Sequence, residues 1–165
     1  MITLAIDPGY ERLGIAVVEK TTIKKETVLF SECFKTSAKL DFYERLLLIV
    51  TEVEKVLKEY SPNSLSIENL FISNNQKTAM RVSEVRGAII YCAKKHNLLI
   101  HEMTPLQIKL AVTGNGKSSK TEMIKMVGLL TKNKEKNLNS SPILDDEFDA
   151  IAIGLAFFAY NRLEI

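Results

Sequence analysis

The spacing of hydrophobic and polar positions changes several times along the chain, and each change marks an element. Ile2, Leu4 and Ile6 alternate as one face of a buried strand, and the run ends on Asp7. Pro8-Gly9 breaks the strand at once, which leaves the Asp7 carboxylate at an edge that a ligand or metal can reach. Arg12 to Glu19 resumes a strand pattern and forms a hairpin with the first run. Thr27 to Phe34 alternates as the third strand of an antiparallel sheet. From Leu40 the period becomes helical. Tyr43, Leu46, Leu47, Val50, Val53, Val56, Leu57 and Tyr60 recur at helical spacing, with Glu44, Glu52, Glu54, Lys55 and Lys58 mostly opposite. Ser61-Pro62-Asn63 ends that helix.

Leu65-Ser66-Ile67-Glu68 is a short fourth strand that ends in a second carboxylate, and Ser73-Asn74-Asn75 follows as a turn. A helix then runs from about Gln76 to His96. Gly87 lies inside it, where Gly costs about 1 kcal/mol relative to Ala, so the close approach of another backbone, from a second subunit, is expected there. Leu98 to Met103 is the fifth strand. Thr104-Pro105-Leu106-Gln107 and Ser119-Lys120-Thr121-Glu122 are two capping boxes, each opening a helix, and Gly114-Asn115-Gly116 stops the first of them. Lys132 to Leu144 is polar and reads as a loop. The last helix starts at Asp145 or Asp146 and stays apolar on nearly all sides to Ala159. Hairpin strands followed by alternating helices and strands predict an α/β fold with a mixed five-stranded sheet flanked by helices. Right-handed crossovers set strands four and five parallel to strand one. No repeat or boundary divides residues 1–165, so one domain is expected.

Composition narrows the class. Of 165 residues 46% are hydrophobic and 25% charged, ordinary values for a globular chain rather than a disordered one. The net charge is only +2, but Lys109 to Lys136 holds seven lysines against two acids, so the basic charge is concentrated in one segment as in a protein with one phosphate-facing side. Cys33 and Cys92 are far apart without metal-like spacing and read as free thiols of a reducing compartment. The first residues lack signal-peptide features and no run is long enough to span a bilayer, so a cytoplasmic protein without membrane contact is expected.

Three places offer carboxylates where a strand or helix ends: Asp7, Glu68 and the Asp145-Asp146-Glu147-Phe148-Asp149 cluster. Parallel first and fourth strands would release Asp7 and Glu68 at the same C-terminal edge, where open α/β sheets bind ligands. Asp146 and Asp149 share one face near the start of the last helix and can close over that edge. Converging acids repel unless cations bind there, and hard oxygen donors suit Mg²⁺ or Mn²⁺. A bland alternative remains for the last cluster, since acids also favour helix N-termini.

The motifs resemble those of one family in order. Asp7-Pro8-Gly9 with Gly14 and Ala16 is similar to the opening motif of RuvC-type Holliday-junction resolvases. Ile67-Glu68-Asn69-Leu70-Phe71, then Asn74, Ala79 and Arg86-Gly87, resembles the second block of that family. Gln107-Ile108-Lys109 with Gly114, Gly116 and Lys120 resembles the third, and Asp146 to Ile153 the fourth. The resemblance implies a ribonuclease-H-like fold, a homodimer and structure-selective cleavage of four-way DNA junctions by paired nicks. It makes Asp7, Glu68, Asp146 and Asp149 the catalytic set, holding two Mg²⁺ ions for which Mn²⁺ can substitute. Lys120 joins them as a catalytic charge, Lys109 and Lys120 contact phosphate, and Phe71 stacks on a base near the junction centre. Lys117, in the lysine-rich segment, and Arg12, beside the first motif, complete the expected DNA contacts. A branch-migration helicase is a further expected partner. Glu11 departs from the pattern, standing where the family commonly carries a basic residue. Arg12 to Val17 fits YqgF-like nucleases at least as well, which implies RNA or another branched nucleic acid as the rival substrate, although the Glu68-to-Phe71 block and the Lys120 region favour the resolvase. A non-catalytic junction-binding module is the other rival. Two-domain sugar-kinase and actin ATPases need a second phosphate loop for which this chain has no room.

Overall fold

The computed structural model describes residues 1–21, 25–70, 76–133 and 145–161. Strands β1 (Ile2–Asp7), β2 (Arg12–Glu19) and β3 (Thr27–Lys35) form the expected antiparallel meander. Helix α1 (Phe42–Tyr60) leads to β4 (Ser64–Glu68), parallel to β1, and α2 (Gln76–Lys95) leads to β5 (Leu99–Met103), parallel to β4. Helices α3 (Pro105–Thr113) and α4 (Lys120–Leu130), strand β6 (Lys132–Asn133) and helix α5 (Asp145–Tyr160) complete the order, and the sheet reads β5-β4-β1-β2-β3-β6.

Five of these strands are the ones the alternation predicts. The sixth corrects the reading of Lys132 as the start of a loop, because Lys132 and Asn133 pair in parallel with Thr27 and Val28. A two-residue edge has no period to detect. The rest of that stretch, 134–144, and the turn at Ser73-Asn74-Asn75 lie outside the described residues. Both expected capping boxes form, at Thr104/Gln107 and Ser119/Glu122. A third, at Asp41/Glu44, starts α1: Asp41 accepts from the Tyr43 and Glu44 amides while Glu44 accepts from the Asp41 amide.

Alternation assigns the two faces of the sheet. Leu4, Ile6, Leu13, Ile15, Val17, Leu65 and Ile67 pack against α1 and α2. The other face carries smaller groups, Thr3, Ala5, Gly14, Ala16, Ser64 and Ser66, which let α5 lie close. A side chain at Gly154 of α5 would press on Val18 and Ala5, so the helix rests almost directly on the sheet. Helices α3 and α4 cover its outer side, which is why Ala150 to Phe158 is buried all round.

One expectation on α1 needs correction. Tyr43 and Leu47 belong to the apolar period yet are each 68% exposed, whereas Arg45 and Ile49 turn inward. At Gly87, where a second subunit's backbone is expected, no described residue outside its own helix backbone comes within 4 Å of an added Cβ, which leaves that space open. Within the chain, close approach occurs at Gly14, where an added methyl would overlap the Asp146 carbonyl and meet the Asp7 Cβ at 3.0 Å. Gly14→Ala should therefore push the first turn of α5 off the sheet, costing about 1–3 kcal/mol as an overpacked site does. A urea unfolding midpoint equal to that of the unaltered chain would contradict this contact.

Candidate active site

Register builds the site. Ile6 pairs with Ile67 in the parallel β1–β4 ladder, so the next residues, Asp7 and Glu68, stand side by side at the C-terminal edge. Both occupy the alternation class of Thr3, Ala5, Ser64 and Ser66, the face that α5 covers. The start of α5 then arrives over Gly14, opposite Asp7 in the hairpin ladder, and brings Asp146 with it. One turn on, Asp149 lines a cavity of about 240 Å³ together with Glu68, Lys109 and Lys120.

The acidic cluster divides by helical phase. Asp146 and Asp149 face the edge, Asp145 is exposed, and Glu147 is buried where it accepts a hydrogen bond from the Ser31 hydroxyl at 2.6 Å. Asp146 has two neighbours from the sheet: Arg12 Nη1 at 3.7 Å and the Cys33 thiol at 3.6 Å. Lys120 Nζ donates to Asp149 Oδ2 at 2.6 Å. Among the described residues no three of these four carboxylates bring oxygens within 4.8 Å of one another. Asp149 is turned toward Lys120 and Asp146 toward Arg12.

The charges nevertheless feel each other. Burial, then the charges of Glu68, Asp149 and Asp146, push the Asp7 carboxyl up to about 7 against the downward pull of Lys120. Burial and Asp149 raise Glu68, which Lys109 and Lys120 partly offset. For Lys120, burial acts downward but the hydrogen bond and charge of Asp149, with Asp145 and Asp7, outweigh it and hold the ammonium above its usual value. Burial and Asp146 raise the Cys33 thiol to about 11, so it stays protonated. Two partly buried strand-end acids, both raised by burial and by Asp149, belong to a set made entirely of hard oxygen donors whose Glu68 and Asp149 line an open cavity, and that chemistry fits a divalent cation of the Mg²⁺ or Mn²⁺ type.

The expected basic residues fall on two sides of this edge. Lys109 lines the cavity, Lys120 begins α4, and Lys117 is exposed on the turn between α3 and α4. Arg12 stands across Asp146 on the other side. Phe71 lies outside the described residues. Sequence reasoning missed two cations, Lys35 and Arg45, and gave a third, Arg86, no role beyond its place in the second motif block. Lys35 pairs with Arg12 in the β2–β3 register, and with Arg45, Glu11 and Thr36 these residues line a second hollow of about 210 Å³. Glu11 sits 3.9 Å from Arg45 Nη1, so the acid that departs from the family motif is balanced by a buried arginine. Arg86 of α2 donates to the Glu68 carbonyl and the Asn69 side chain, both at 3.2 Å, and pairs with Glu102 at 2.6 Å. Only strand register could have announced Lys35, and an arginine at an inward helical phase was the available signal for Arg45.

Comparison with known proteins identifies relatives across the whole length. The family described as crossover junction endodeoxyribonuclease RuvC matches residues 3–157. The crossover junction endodeoxyribonuclease RuvC of Brachyspira hyodysenteriae is 40% identical over 164 residues, 99% of this chain and 97% of that one. Thermus thermophilus RuvC in complex with Holliday junction substrate superposes with a TM-score of 0.89 at 29% identity, covering 99% of this chain and 96% of that one. The yeast mitochondrial Holliday junction resolvase, at 14% identity and a TM-score of 0.75 over 97% of this chain and 78% of that one, shares the fold. The fold is thus the expected ribonuclease-H-like α/β arrangement.

The raised Asp7 carboxyl has a consequence for stability. Its folded value of about 7 exceeds the usual unfolded value of about 4, so the folded chain keeps a proton that the unfolded chain releases. Its stabilising contribution is complete below about pH 4 and is lost as pH rises through 7, on the order of 4 kcal/mol at most. Without divalent cations the chain should lose thermal stability over that window, millimolar Mg²⁺ or Mn²⁺ should restore it at pH 8, and Asp7→Asn should flatten both effects. Melting temperatures indifferent to pH and to the cations would contradict this electrostatic reading.

Proposed function

The chain belongs to the crossover junction endodeoxyribonuclease RuvC family, and from that membership we propose how its acidic edge and basic flanks carry out the reaction. The protein is a metal-dependent endonuclease that hydrolyses DNA phosphodiester bonds at Holliday junctions, in recombination and repair. We assign catalysis to Asp7, Glu68, Asp146 and Asp149. The observation that carries this assignment is the elevation of two adjacent carboxyls, Asp7 by burial, Glu68, Asp149 and Asp146, and Glu68 by burial and Asp149. Such an arrangement is costly unless its charges are used. The four carboxylates would hold two Mg²⁺ ions, for which Mn²⁺ can substitute. When bound, these ions activate a water and offset the charge of the scissile phosphate.

The remaining roles belong to the chain itself. Lys120, already 2.6 Å from Asp149, supplies a fixed positive charge where negative charge builds on the reacting phosphate. Lys109 and Lys117 extend that charge along one side, and Arg12, with Lys35 and the buried Arg45, along the other. A DNA strand crossing the edge meets cations before and after the acids, a contact that positions the backbone without reading bases. Phe71 is assigned the stacking contact with a base near the junction centre.

Paired nicks require two such sites, and a homodimer supplies them. The face best suited to pairing is that of α1 and α2, where Tyr43, Leu47, Met80 and Tyr91 are between 65 and 72% exposed and Gly87 offers open space. Residues 1–165 act in this reading as one nuclease domain in the cytoplasm, with a branch-migration helicase as a further partner. Among the described residues no helix is long and apolar enough to cross a membrane.

Asp7→Asn should bind a four-way junction as tightly as the unaltered chain yet lose Mg²⁺-dependent nicking by on the order of 10³-fold. Gel assays on a four-way junction, a linear duplex and a structured RNA, each with Mg²⁺ or EDTA, check this. Substantial residual nicking would sink the catalytic assignment, and preferred cutting of RNA would favour the YqgF-like reading. Phe71→Ala should impair junction cutting while leaving Mg²⁺ binding intact. Unchanged cutting would return Phe71 to an ordinary packing role.

A further inference from the structure

Helices α1 and α2 run side by side on the face of the sheet away from α5. Arg81 covers the rings of Phe42 and Tyr43 at one end, and Cys92 meets Glu54 farther along. His96 follows the last residue of α2, and its amide still donates to the Cys92 carbonyl at 3.2 Å, so Cys92 and His96 are one helical turn apart on one face. Glu54 stands opposite on α1. One ligand atom from each of Glu54, Cys92 and His96 lies within 4.8 Å of the other two. None of the three belongs to the acidic edge or to its basic flanks.

The donor set is what distinguishes this cluster from the acidic edge. It combines a carboxylate oxygen, a thiol sulfur and an imidazole nitrogen, a mixture that suits a borderline-soft transition metal and not Mg²⁺. Ligands about 2.0 and 2.3 Å from a tetrahedral ion lie ~3.5 Å apart. Cys92 Sγ and Glu54 Oε1 are 3.9 Å apart, so a few tenths of an ångström of rotamer movement closes that edge of the tetrahedron. The nearest competitor, Lys95 Nζ, is 3.8 Å from Glu54, beyond hydrogen-bond range, and surrenders little. Glu54 also lines an open hollow of about 440 Å³ on α1 with Thr51, Lys55, Lys58 and Glu59, so its carboxylate is open to solvent on that side. Cys92 itself is 2% exposed and hidden from competing thiols and oxidants.

We propose that Glu54, Cys92 and His96 form a Zn²⁺ site, separate from the carboxylate site, that ties α1 to α2. Binding forms a metal–sulfur bond as the Cys92 thiol releases its proton to solvent, with no change of oxidation state. The tie spans the two helices that cover one whole face of the sheet, so its effect is on stability and not on the cleavage step.

Cobalt substitution tests the site directly. The reduced, metal-stripped full chain titrated with Co²⁺ alone should develop a thiolate-to-cobalt charge-transfer band and tetrahedral visible bands, saturating at about one equivalent per chain. Zn²⁺ should bleach them and raise the melting temperature. An all-oxygen site cannot produce the band, but the Cys33 thiol lies near Asp146 and must be controlled for. Cys33→Ser should keep the band, Cys92→Ser should abolish it, and Glu54→Gln or His96→Ala should weaken Co²⁺ binding by at least ~10–100-fold. Far-UV circular dichroism verifies that each variant is folded. No band in the unaltered chain, a band that survives Cys92→Ser, or one lost in Cys33→Ser would each overturn the proposal.

Discussion

The structure depends on placing two carboxylates beside each other at the end of a buried parallel ladder. Once Ile6 pairs with Ile67, Asp7 and Glu68 have no freedom to separate, because both strands are buried and paired on either side. Burial makes each costly to ionise there, the charge of Glu68 raises Asp7 further, and Asp149 raises both. The rest of the sheet accommodates that arrangement. Small side chains on the α5 face let the helix settle against the strands, and Gly14 leaves room for the Asp146 backbone. A larger residue at either point would relieve the repulsion by moving α5 away, at the expense of the cluster itself.

The surrounding cations compensate the acids without neutralising them. Lys120 and Arg12 each hold one α5 carboxylate, at 2.6 and 3.7 Å, and neither pairs directly with Asp7 or Glu68. Compensation from the flanks leaves the two strand-end acids available, and in the proposed reading the same cations would meet the DNA backbone on each side. A chain of net charge +2 can therefore serve nucleic acid, because the distribution of charge around the edge matters more than its total.

Much of this arrangement was legible in the sequence wherever a single element carried it. Alternation placed Asp7 and Glu68 at strand ends, helical phase set Asp146 and Asp149 together, and the two capping boxes fixed where α3 and α4 begin. Features that depend on pairing between distant segments were not legible. Lys35 becomes a neighbour of Arg12 only through the β2–β3 register, and β6 exists only because β3 offers an unpaired edge. Tyr43 and Leu47 followed the apolar period faithfully but lie outside, since amphipathic spacing says which residues share a face and not what covers that face.

That exposed face bears on the acids through α2. Arg86 holds the backbone of Glu68 and the side chain of Asn69 from one side of the helix. The very next residue, Gly87, is exposed with open space around it, along the line of Met80 and Tyr91. A second copy seated on that line would press on the helix that positions a strand-end carboxylate, so partner and site would share one rigid element. In the proposed homodimer, such sharing would link assembly to the geometry of each acid edge through a single turn of helix.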